Sequence, residues 1–156
     1  MLRCLANPRS FFPIALICLN VSCTHTSDAT LATLDWHPNL DQPAQELEED
    51  LANAQQQQLL NYRSSNLAFL LDAKLYILFD RYLTSLPLDK RTSAVGQQRT
   101  WLDQREQARA KAYAEYEGGP LAPFAGNESF IEFTRTRIAE LQTPLGVPAS
   151  PTHSSN

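Results

Sequence analysis

Cysteine is scarce in this chain and confined to one end. The three in 156 residues are Cys4, Cys18 and Cys23. A domain folded from the residues beyond them has no disulfide and no thiolate nucleophile, so packing must hold it. Glycine is also sparse: five residues against ten prolines exclude a collagen-like or Gly-linker chain. No glycine-rich phosphate loop and no G-x-S-x-G elbow occurs. The three histidines, His25, His37 and His153, fall in segments without helical periodicity, so none is expected as a placed base or metal ligand. Base is missing from Thr24 to Tyr62, a stretch with seven acids (Asp28, Asp35, Asp41, Glu46, Glu48, Glu49 and Asp50). No strand-like alternation and no internal repeat is present. Carboxylate pairs such as Asp103/Glu106 and Glu115/Glu117 are those of any exposed helix, and nothing marks a dry pocket for acid–base work. No cofactor, metal or catalytic residue is expected.

At the start, Met1 to Arg9 holds two positive charges and no acid, and Phe11 to Leu19 is an apolar run of nine. That run is too short to span a bilayer and has the length of a signal h-region. Ser22-Cys23 resembles the cleavage junction of bacterial lipoproteins, with Asn20 standing where Leu is usual. The expectation is a signal peptide over 1–22, lipidation at Cys23, and an exported envelope lipoprotein, sorted to the outer membrane if the cell has two. No later segment reaches 18 apolar residues. Without Arg3 and Arg9 the chain holds 11 Lys and Arg against 17 Asp and Glu, a net charge of −6. That balance argues against nucleic acid, which selects basic patches. It suits a basic partner.

Residues 23–43 read as a flexible tether, 44–142 as a helical domain and 143–156 as a disordered Pro/Ser/Thr tail. Apolar spacing predicts helices over Ala44–Tyr62, Ser65–Ser85 and Lys90–Glu117, with Asp89 as the cap of the third. A last helix is expected from a Ser129/Glu132 capping box after a Gly118–Asn127 loop. The second helix carries a Leu67, Leu71, Leu75, Leu78 and Tyr82 stripe. Phe69, Ile77 and Phe79 widen it almost to all-round apolarity, which predicts a central helix. The third helix presents an inward line of Ala94, Gln98, Trp101, Arg105, Ala108 and Ala112, and the last presents Phe130, Thr134, Arg137 and Leu141. The fold class expected is all-α, a small antiparallel bundle of three to four helices. Arginines on core-facing lines cannot be buried unpaired. Arg105 and Arg137 are expected to reach acids, helix-end carbonyls or the Gly118–Gly119 turn, with Trp101 covering a guanidinium plane.

The order Gln98-x-x-Trp101-x-x-x-Arg105, then Gly118-Gly119, then Thr134-x-x-Arg137-x-x-x-Leu141 resembles the LprI-type lysozyme inhibitor family. Asp72-x-x-Leu75 followed by Phe79 is similar to that family's D-x-x-L-N-x-x-Y stretch, with Tyr76 in place of Asn and Phe79 in place of Tyr. The resemblance covers about residues 46–141. It implies a small exported helical domain that binds lysozyme-like muramidases and inhibits them by occlusion. The alternative is a non-enzymatic structural or interaction module of the envelope with the same fold. The family commonly carries a Cys four residues after the Arg of the Trp helix and another shortly before the Thr of the last helix. Here Arg109 and, approximately, Ser129 stand there, as if a disulfide were lost as a unit.

Overall fold

The computed structural model describes residues 38–147, and these form four α-helices with no strand among the described residues. They are α1 (Asp41–Ala52), α2 (Gln57–Ser85), α3 (Leu88–Ala114) and α4 (Ala122–Leu145). The signal segment, Cys23, the tether before Pro38 and the tail beyond Val147 lie outside the described residues.

Asp41 and Pro43 open α1, where an acid complements the helix dipole and a missing N–H costs nothing. The expected tether over 23–43 therefore ends earlier, before Asp41. The helix expected to continue to Tyr62 stops at Ala52 instead. Asn53 breaks it by turning its side-chain amide onto the Glu49 carbonyl, 2.8 Å away. The chain then reverses through residues 53–56, so that Leu47 and Leu51 can pack onto α2. Arg63 of α2 donates to the carbonyl of Asp50, placing a cation on the negative end of α1. The ion pair between Lys74 and Asp41 joins the other end, which makes α1 and α2 antiparallel.

Leu86 and Pro87 separate α2 from α3, the extended backbone at Leu86 being what a following proline favours. Asp89 lies in the first turn of α3 rather than at its cap, which is Pro87. The end of α3 comes at Ala114, and the left-handed Glu117 and Gly118 (φ 50° and 73°) turn the chain. The α4 helix then starts at Ala122, with Pro123 in its first turn, and not at Ser129. Ser129 and Glu132 are interior residues of α4. The two extra turns exist because Ala122, Gly126 and Asn127 are buried, with a Cβ built on Gly126 only 3.5 Å from the Arg109 carbonyl of α3. Residues 143–145, expected in the tail, complete α4, and left-handed Gly146 closes it.

The centre of the bundle is α4, which packs on both α2 and α3. The apolar core joins Leu67, Ala68, Leu71, Leu75 and Leu78 of α2 to Phe130, Ile131, Ile138 and Leu141 of α4, with Ala44 from α1. The expectation that α2 is central is overturned, because one side of it faces solvent: Phe69 is 78% exposed and Tyr76 74%. Its remaining faces suffice to cover α4 and α1. Cross-links set the helix directions. Asn127 donates to Ser64 near the start of α4 and α2, which run parallel, while α3 runs antiparallel to both. This two-sidedness of α2 has a direct test in thermal or denaturant unfolding. Leu75→Ala should destabilise the chain by about 2–5 kcal/mol, and Phe69→Ala should change it by less than about 0.5 kcal/mol.

Candidate functional site

Six of the residues singled out by the sequence pattern converge on one place between α2, α3 and α4. Arg105 on α3 is 5% exposed. Its Nη1 donates to Asp72 Oδ1 of α2 at 2.7 Å and to Thr134 Oγ1 of α4 at 3.2 Å. Thr134 Oγ1 in turn donates to the Phe130 carbonyl one helical turn back, at 2.7 Å. The hydroxyl therefore accepts from the arginine and donates to the helix, which orients it and leaves no buried lone proton. The guanidinium carbon stands 3.8 Å over the centre of the Phe130 ring and 5.0 Å from that of Trp101. Its Nε is buried without a hydrogen-bond partner, 4.0 Å from the nearest oxygen of Glu106.

Two turns back from Arg105 along α3, Gln98 is buried and accepts from Arg137 Nε at 3.0 Å. Arg137 also pairs with Glu140 at 2.8 Å, and its guanidinium carbon is 5.9 Å from the Trp101 ring. Trp101 thus stands between two arginines. The two are not equivalent, since Arg105 is enclosed and Arg137 is half-buried at the rim with an exposed partner. Leu75 and Leu141 lie in the apolar core and touch the chemistry only by closing it off. Gly118 and Gly119 lie beyond the end of α3, away from the cluster, and the arginines do not reach that turn. Their role is conformational: Gly118 is left-handed, and a Cβ on Gly119 would stand 3.1 Å from the Tyr116 carbonyl.

Phe130 lies on an inward line of the sequence, but its use as the platform of Arg105 is not legible there. Neither is the Asn127–Ser64 bond at 3.0 Å, because Asn127 falls in the expected Gly118–Asn127 loop and Ser64 between the first two expected helices. At the place of the first of the two missing cysteines, Arg109 lies with its guanidinium carbon 5.5 Å from the Phe130 ring, bridging α3 to α4 non-covalently. Away from the cluster, partial burial pushes the Glu128 carboxyl above its ordinary range; Arg135 opposes this and Glu132 adds to it. No group of three or more His, Cys, Asp or Glu among the described residues could hold a metal ion. No helix among them is long and apolar enough to cross a membrane.

Apart from Arg105 Nε, the buried polar groups of this cluster bond to one another, so its first effect is on folding. Arg105→Ala should cost about 3–5 kcal/mol in chemical denaturation by leaving the Asp72 and Thr134 partners unpaired. Arg137→Ala should cost less, about 1–3 kcal/mol, because its ion pair with Glu140 is open to solvent while buried Gln98 loses its partner.

Residues 24–141 match the family model described as lysozyme inhibitor LprI. No curated protein and no solved structure matches the chain. The matched region spans α1 to α3 and α4 as far as Leu141, including every residue of the arginine cluster. The chain belongs to the LprI family of lysozyme inhibitors.

Proposed function

We propose that this protein is an exported envelope lipoprotein, held by a lipid on Cys23, that binds a basic lysozyme-like muramidase and blocks it sterically. The observation that carries this reading is the family match over 24–141, which begins one residue after Cys23. Charge supports it. The seven acids before residue 62 and a net charge of −6 without the leader arginines draw a cationic enzyme in, faster at low ionic strength. Occlusion rather than chemistry fits a domain whose best-organised polar residues, Asp72, Arg105 and Thr134, bond to each other.

A second reading, a non-enzymatic interaction module of the envelope, draws on that same self-satisfied cluster, since residues shared with the family can specify the fold alone. One titration decides between the two. The chain from residue 24 onward is added to a basic lysozyme acting on cell walls, at low and at physiological salt. Inhibition is expected at both, with faster onset at low salt. Inhibition confined to low salt would be non-specific charge pairing, and none at micromolar excess would favour the interaction module. For the anchor, Cys23→Ala should abolish incorporation of labelled fatty acid, and undiminished labelling would refute lipidation at that residue.

A further inference from the structure

We infer that the partner docks on the outer face of α2, where Tyr62, Phe69 and Tyr76 form an aromatic strip among carboxylates that receives the cationic side chains of a basic protein. This rests on the proposed function, because it names the surface used for the partner proposed there.

The three residues are 65%, 78% and 74% exposed, and seven residues separate each from the next. Two helical turns between successive members put all three on one side of α2, about 10 Å apart and spread over about 21 Å. Single exposed aromatics are ordinary, but an aligned row of them on one helix face marks an interaction surface. The fold has no use for the row, since α2 covers α4 and α1 with Leu67, Leu71, Leu75 and Leu78.

The charges around the strip identify the occupant. Asp72 lies between Phe69 and Tyr76 with half of its side chain exposed, although it pairs with Arg105. Asp80, one turn past Tyr76, is exposed and forms no ion pair among the described residues. Of the two helices packed on α2, α4 lies against its leucine face, and α1 carries five acids and no base. Of these, Glu46, Glu49 and Asp50 are exposed and form no ion pair among the described residues. Of the three bases of α2, Arg63 and Lys74 are turned away from the strip and engage α1, and exposed Arg81 lies about 100° around the helix from Asp80. Aromatic faces bordered by carboxylates take Lys and Arg twice over, by cation–π contact and by ion pairing. A second copy of the same acidic face would be repelled, and so would an anionic lipid surface.

The test uses the chain from residue 24 onward, which contains the whole described bundle, with a basic lysozyme as probe at physiological salt. The combined variant Tyr62→Ser, Phe69→Ser, Tyr76→Ser should keep its helical circular dichroism and melting temperature and bind at least about tenfold more weakly. A control on other exposed apolar positions, Leu88→Ser with Tyr113→Ser and Tyr116→Ser, should bind as the parent does. Asp80→Asn with Glu46→Gln and Glu49→Gln should slow association at low salt, and the difference should vanish at high salt. A folded strip variant that binds and inhibits like the parent overturns the assignment and leaves the inhibitor function standing. A parent that does not bind lysozyme removes that function and the docking surface with it. A parent dimer that the strip substitutions convert to monomer would make this face a self-interface and equally overturn the assignment.

Discussion

One buried guanidinium group ties the third helix to both α2 and α4. The apolar core is built from α1, α2 and α4, and α3 adds no fully buried side chain to it. What α3 buries is Ala94, Gln98 and Arg105, with Trp101 partly covered alongside. A buried charge is tolerable only if paired and bonded. Asp72, Thr134 and Phe130 supply the counter-charge, the acceptor and the aromatic platform from the two neighbouring helices. The half-exposed carboxylate of Asp72 keeps the desolvation cost of the pair below that of a fully interior one. Such a pair contributes less net stability than leucine packing would, but it fixes register. Sliding α3 by one residue would leave Arg105 facing neither partner, whereas a greasy seam tolerates such slips.

That arrangement divides the domain into an inside and an outside with different work. Inside, the polar residues are consumed by folding: Arg105 by Asp72 and Thr134, Arg137 by Gln98 and Glu140, Asn127 by Ser64. Outside, the aromatic row of α2 and the unpaired acids of α1 are left over by folding, and the proposed binding draws on them. Because α4 packs on both α2 and α3, it carries the link between them, and the close approach at Gly126 brings the backbones of α3 and α4 together. Arg109 over Phe130 reinforces this same seam without covalent closure. The α3–α4 turn is correspondingly short, ending at Leu121, and the buried Ala122 and Asn127 anchor the chain that follows it.

The sequence by itself determined the helical class and most of the inward lines. Ala94, Gln98 and Arg105 on α3, and Phe130, Thr134 and Leu141 on α4, were legible as core-facing from their three- and four-residue spacing, and all six are buried. The need of the two arginines for partners across the bundle followed from the cost of burying a charge. Other features were decided by the tertiary structure. Periodicity tells which residues share a helix face and not which faces a neighbour covers, so Phe69 reads as part of an apolar surface covered all round, whereas α2 is open on that side at Phe69 and Tyr76. Helix ends depend on the same information. The break at residues 53–56 exists because Leu47 and Leu51 must turn back onto α2, and α4 starts seven residues before its capping box because Ala122, Gly126 and Asn127 have α2 or α3 to pack against. The arginine partners were a choice among several chemically equal acceptors, and only the antiparallel placement of α3 against α2 and α4 put Asp72 and Thr134 within reach of Arg105.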